Sequence, residues 1–255
     1  MPLELVTIPA LSDNYTYLLH DEKSGDTACI DVPEAAPILK ALSDRNWSLT
    51  EIWLTHHHHD HIGGVGDLLK HHDAKVTGAA ADRHRLPNLN REVVDGDAFE
   101  FGGEVVDIFD VSGHTEGHIA FVLKASQYAF TADSLMALGC GRLFEGTAAQ
   151  MWDSLQKLAA LAPDTLICSG HEYTQANGRF AITVDPDNPD LKDRIQRIDH
   201  ARDKDEPTVP SRLAEELATN PFLRAADPAI QTHLDMTGAE PVDVFTEIRA
   251  RKDRF

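Results

Sequence analysis

Apolar residues along the first third of the chain fall into short runs broken by turn formers. Leu3 to Ile8, Tyr15 to Leu19 and Ala28 to Asp31 read as strands, separated by Ser12-Asp13-Asn14 and Ser24-Gly25-Asp26. From Glu34 the period changes. Ile38, Leu39 and Leu42 recur at helical spacing, and Ile52-Trp53-Leu54 then reads as a short buried strand. Gly63-Gly64 opens an amphipathic helical segment reaching about Lys70, and Lys75-Val76-Thr77 reads as a further strand. Between Asp95 and Leu123 the pattern is strand-rich, with Gly102-Gly103 as a hairpin signal. Met151, Leu155 and Leu158 mark a helix over Thr147 to Leu161, with Thr147 as its cap and Pro163 as its stop. A strand from Thr165 to Cys168 closes this part. The interleaving fits a sheet-on-sheet core clad by helices, and pattern alone leaves both α/β and α+β open.

Beyond Tyr173 the texture shifts. Charged residues alternate with apolar positions at helical spacing, no strand pattern is visible, and Pro186, Pro189, Pro207, Pro210 and Pro221 divide the segment. The expectation is a helical appendage beginning near Thr174.

The candidate chemistry concentrates where the Ile52-Trp53-Leu54 strand ends. His56-His57-His58-His59-Asp60-His61 places five imidazoles and a carboxylate in six residues, donors suited to zinc, iron or manganese. A surface histidine run would also pick up metal, but tags are terminal and this run is internal. Three more donors follow apolar, strand-like runs: His114 after Val105 to Val111, Asp133 after Tyr128 to Thr131, and His171 after Thr165 to Cys168. Loops leaving one kind of strand end can converge on one site. His71, His72 and His84 adjoin no such strand end and read as solvated or capping residues.

Composition narrows the partners. A net charge of −19 argues against nucleic acid and anionic membrane surfaces. Cys29, Cys140 and Cys168 are few, odd in number and widely spaced, so buried free thiols are expected. Met1-Pro2-Leu3-Glu4-Leu5 lacks a basic and apolar leader pattern, which points to the cytoplasm.

Thr55-His-x-His-x-Asp60-His61 with Gly113-His114-Thr115-x-Gly117-His118, Asp133 and Gly170-His171 resembles the metallo-β-lactamase superfamily. Gly139-Cys140-Gly141-Arg142-Leu143-Phe144-Glu145-Gly146, Gly170-His171-Glu172-Tyr173-Thr174 and Val184-Asp185-Pro186-Asp187-Asn188-Pro189 look like the glyoxalase II (hydroxyacylglutathione hydrolase) family within it. The resemblance runs from Ile8-Pro9-Ala10 to the C-terminal basic residues. It implies an α+β fold, a four-layer α/β/β/α sandwich over residues 1–173 with a helical, glutathione-binding domain over 174–255. It further implies two divalent ions per chain, zinc first, with iron or manganese as alternatives.

By the family pattern His56, His58 and His114 hold one ion, Asp60, His61 and His171 the other, and Asp133 bridges them. The residues themselves leave His57 and His59 open as ligands; the resemblance sets both aside and gives His118 a bracing hydrogen bond. A water shared by two such ions has its pKa lowered toward about 7. The implied reaction is attack of that hydroxide, at the centre carrying Asp60 and Asp133, on the thioester of S-D-lactoylglutathione. It yields D-lactate and glutathione, the second step of methylglyoxal detoxification. Arg142, Phe144, Tyr173, Arg249 and Lys252 stand where the family contacts glutathione. Phe144 replaces a common tyrosine there, and Ala132 and Ser134 replace the Gly and Thr that commonly flank the bridging aspartate. A monomer is expected. The rivals are a single-iron persulfide dioxygenase of the same superfamily and a non-catalytic metal-binding protein.

Overall fold

The structure is a computed structural model and describes residues 3–255. Two six-stranded mixed sheets face each other. The first is built in chain order from β1 (Glu4–Ala10), β2 (Asn14–His20), β3 (Thr27–Ile30), β4 (Glu51–Trp53), β5 (Lys75–Ala79) and β6 (Arg91–Val93). Its first three strands form an antiparallel meander and the rest add in parallel. The second holds β7 (Ala98–Phe101), β8 (Glu104–Asp110), β9 (Ile119–Leu123) and β10 (Tyr128–Ala132) as an antiparallel run. β13 (Leu166–Ser169) then joins β10 in parallel, and β14 (Ser211–Arg212) closes the edge. A two-stranded ribbon, β11 (Leu135–Met136) with β12 (Gly139–Cys140), stands apart.

The period-2 alternation of the strands determines which face meets which layer. Tyr17, Leu19, Ile30, Phe121 and Phe130 point between the sheets, where Trp53 meets Phe99, Phe101 and Phe121 at ring distances of 5.1–5.3 Å. Leu18, Cys29 and Ile52 point the other way, onto α1 (Ala35–Arg45). Ala120, Val122 and Ala129 face α4 (Ala148–Ala159), whose Met151, Leu155 and Leu158 are fully buried. The result is a four-layer α/β/β/α sandwich. Thr147 caps α4 through a capping box with Gln150, as its position predicts.

Helices α5 (Thr174–Val184), α6 (Pro189–Arg202), α7 (Leu213–Thr219), α8 (Pro228–His233) and α9 (Pro241–Arg254) follow. Phe180, Phe222, Phe245 and Ile248 from this segment share one apolar cluster with α4 and the outer face of the second sheet. Two expectations change. The helical segment after the histidine run is two short helices, α2 (His59–Ile62) and α3 (Val65–Leu68), so His59, Asp60 and His61 ride on a helical turn instead of a loop. At the break the Gly64 N–H donates to the Val32 carbonyl at 2.9 Å instead of to the carbonyl four residues back, and Gly64 lies so close to Glu34 and Ala35 that a Cβ there would come within 2.7 Å of their backbone. The chain beyond Tyr173 does contribute a strand, β14, which at two residues is too short to show alternation.

Candidate metal centre and substrate groove

The ends of β4, β10 and β13 and the β8–β9 loop deliver the donors to one place. His56, His58 and His114 form one group: the two Nε2 atoms of His56 and His114 lie 3.1 and 3.0 Å from His58 Nδ1. Asp60, His61 and His171 form a second. Asp133 stands between them, with Oδ2 at 3.4 Å from His114 Nε2 and 3.3 Å from His171 Nε2, and Oδ1 at 3.5 Å from His61 Nε2. A register shift between Phe130 and Ala132 turns Asp133 into this position, and Ala132 takes a φ of 41° to do so.

The tautomers follow from what each outer nitrogen meets. A carboxylate or carbonyl oxygen only accepts, so the nitrogen facing it carries the proton. His61 Nδ1 donates to Asp31 Oδ2 at 2.8 Å, His171 Nδ1 to Asp13 Oδ1 at 2.9 Å and His114 Nδ1 to the Arg142 carbonyl at 2.7 Å. The Thr55 hydroxyl donates to Asp31 Oδ2, which leaves its lone pair to accept from His56 Nδ1 at 3.0 Å. Asp31 thus orients His61 directly and His56 through Thr55, and four imidazoles turn a bare Nε2 toward the centre. Asp31 and Asp13 were missed in the sequence, although Asp31, like the ligands, directly follows a strand.

These residues fit bound cations. His61 Nε2 and Asp133 Oδ1 are buried and have no hydrogen-bond partner. Gly170 packs so closely that a Cβ would lie 2.6 Å from Asp133 Oδ1 and 2.7 Å from His61 Cε1. The carboxylates demand positive charge: against burial, which lowers it, Asp133, Asp60 and Asp13 push the His171 pKa up to about 11. Divalent ions meet the same demand with neutral imidazoles.

The neighbouring histidines face elsewhere. His57 Nδ1 lies 2.9 Å from Asp82, a buried carboxylate also held by Arg85, and His59 is exposed. His118 is buried, which lowers its pKa to about 3, and its ring stacks on His56 at 4.6 Å. Its Nδ1 meets the Ile119 carbonyl, so it braces by stacking and not by the expected hydrogen bond to a ligand.

A groove of about 430 Å³ runs from Asp133, His58 and His114 to Arg142, Phe144, Tyr173, Arg249 and Lys252. The ring of Tyr173 stacks on His171 at 4.6 Å, and the exposed Phe144 sits edge-on to His58 and His114 at 5.7 and 5.2 Å. Lys252 lies between the rings of Phe180 and Phe255, and burial, with help from Arg249 and Arg179, brings its pKa down to about 8. Met136, Cys140 and Asn177 also line the groove, and of these Met136 and Asn177 carry no sequence signal of it.

Fold and donor set together define a member of the metallo-β-lactamase superfamily, whose family model matches residues 21–171. A solved B3 metallo-β-lactamase, BLEG-1, has the same fold, with a TM-score of 0.67 at 18% identity over 86% of this chain and 99% of that one. The model described as hydroxyacylglutathione hydrolase C-terminus matches residues 172–255. Hydroxyacylglutathione hydrolases of Roseobacter denitrificans and Ruegeria pomeroyi are 63% and 62% identical to the chain, over the whole length of each. The chain belongs to the hydroxyacylglutathione hydrolase family.

Proposed function

We propose that the chain hydrolyses the thioester of S-(2-hydroxyacyl)glutathiones, S-D-lactoylglutathione foremost, to the hydroxy acid and glutathione. The observation that carries this reading is the continuity of the groove. Its floor holds donors of both clusters and its wall holds Arg142, Tyr173, Arg249 and Lys252. A thioester of a peptide with two carboxylates needs both, activation at the carbonyl and cations some distance away.

His56, His58 and His114 would hold one divalent ion and Asp60, His61 and His171 the other, with Asp133 between them. Zinc is the first candidate, and iron or manganese suit the same donors. When bound, such ions lower the pKa of a shared water and polarise the substrate carbonyl. The chain's own part is orientation and charge. Asp60 and Asp133 provide the negative charge, and Asn14 steadies Asp60 by donating to its Oδ2 at 3.0 Å. Asp31, Asp13 and the Arg142 carbonyl each accept a hydrogen bond from an imidazole Nδ1–H and so keep the facing nitrogen bare. Phe144 and Tyr173 border the reacting end with ring surface. The leaving thiol, with a pKa of about 8.5, departs without a dedicated acid.

On this reading residues 1–173 carry the centre and 174–255 a helical, substrate-gripping domain. Its support is that α5 begins at Thr174 and that Arg249 and Lys252 lie on α9. The enzyme works as a cytoplasmic monomer; among the described residues no helix is long and apolar enough to cross a membrane. The test is turnover of S-D-lactoylglutathione by untagged protein together with elemental analysis. Two ions per chain and hydrolysis are expected. A single iron without hydrolysis would overturn the reading in favour of the persulfide dioxygenase.

A further inference from the structure

The cations of the groove wall are not equivalent. Arg249 is 5% exposed and both its terminal nitrogens are engaged, Nη1 with the Cys140 carbonyl at 3.0 Å and Nη2 with Asp253 Oδ1 at 2.9 Å, while its buried Nε has no partner. Its guanidinium centre also lies 5.2 Å from the Phe222 ring, so this arginine is engaged in tying α9 to β12. Lys252 makes one hydrogen bond, to the Ala176 carbonyl at 3.3 Å, and among the described residues has no carboxylate within ion-pair distance. Arg142 is more than half exposed, and its one ion pair among the described residues is to Asp253, Nε to Oδ1 at 3.5 Å. One carboxylate oxygen therefore serves a buried arginine and an exposed one.

We infer that Asp253 is a specificity-determining residue: its carboxylate occupies Arg142 where a substrate carboxylate would bind, and the substrate anion must displace it. The inference rests on the glutathione-thioester reading above. The Arg142–Asp253 pair is exposed and single-pronged, the kind that exchanges readily. A substrate carboxylate can offer two oxygens to the same guanidinium. In the meantime Asp253 repels the incoming anion, and it stands next in sequence to Lys252, on which its charge also acts. Affinity for the anionic end is thereby held down, and ligands without a carboxylate escape the effect.

The experiment is calorimetric titration of the full chain with S-hexylglutathione and with its analogue amidated at both carboxylates. Asp253→Asn should tighten S-hexylglutathione roughly two- to fivefold, the range for relief of one exposed charge contact, and leave the diamide unchanged. The gain should vanish in an Arg142→Ala background, and Asp253→Glu should keep wild-type affinity. Weaker binding of both ligands by Asp253→Asn would make Asp253 a mere brace for Arg249 and overturn the inference, as would equal tightening of both. Binding of S-hexylglutathione without turnover of the thioester would sink only the hydrolase reading. No binding by the wild-type chain would sink both.

Discussion

Asp31 lies outside the ligand set, yet the hydrogen-bond pattern gives it control of both clusters, and Asp31→Asn tests this with almost no change in volume. The carboxylate is 3% exposed and accepts three hydrogen bonds, from Thr55 N at 2.8 Å, Thr55 Oγ1 at 2.8 Å and His61 Nδ1 at 2.8 Å. An amide has one oxygen and one NH2, so it cannot serve all three. If the oxygen faces Thr55 N, the NH2 points a donor at His61 Nδ1, which can then only accept. That moves the imidazole proton to Nε2, the atom aimed at Asp133, and Thr55 ceases to orient His56. If the amide turns over, both tautomers survive but the buried Thr55 N–H meets another donor. Leaving such a group unsatisfied costs about 1–3 kcal/mol. The first orientation loses metal and the second loses stability, each on that scale. That is roughly a five- to 150-fold drop in metal affinity, or a Tm lower by roughly 2 to 12 °C. Chelator competition with a zinc indicator reads the first, and thermal denaturation of metal-stripped protein reads the second. A variant that kept both the wild-type zinc affinity and the wild-type Tm would refute the account of how these imidazoles are held.

Removing a donor should differ sharply from removing its neighbour in sequence. Asp133→Ala and His114→Ala should abolish thioester hydrolysis, while His57→Ala, whose ring faces Asp82, should keep much of it; steady-state rates decide, and equal losses would show the ligand register to be wrong. Lys252, with a pKa of about 8, is charged below that pH and loses its proton as pH rises through it. KM for the glutathione thioester should therefore rise above about pH 8 in the wild type, and Lys252→Arg, charged throughout, should flatten that limb of the kcat/KM profile. Ala132 holds a φ of 41°, where a Cβ is strained, so Ala132→Gly should stabilise the protein by about 1 kcal/mol, seen as a Tm higher by roughly 2 to 4 °C. An unchanged or lower Tm would count against strain at that bend.

Much of the architecture is local information. Strand alternation around Tyr17-Leu18-Leu19 and Phe121-Val122, the 3.6 period of α4 and its Thr147 cap depend on nearest neighbours, and a pattern of apolar positions reports them directly. The donors were legible for a related reason. His56, His58, Asp60, His61, His114, Asp133 and His171 each stand shortly after an apolar strand, and metal chemistry restricts what residue types can stand there. The break between α2 and α3 was not legible, because there the Gly64 N–H bonds to the carbonyl of Val32, a partner far back in the chain. Nor were the roles of Asp31 and Asp13. They act by accepting a hydrogen bond from an imidazole 30 and 158 positions away in the chain, and nothing around an isolated aspartate announces such a partner. Arg249 and Asp253 make the same point at the groove. The sequence shows four cations near the chain's end, while only the packing of α9 on β12 decides that Arg249 is the one tied to the Cys140 carbonyl. Spacing along a chain records periodicity and residue type; which donor meets which acceptor depends on contacts between distant segments, and these exist only once the layers have closed.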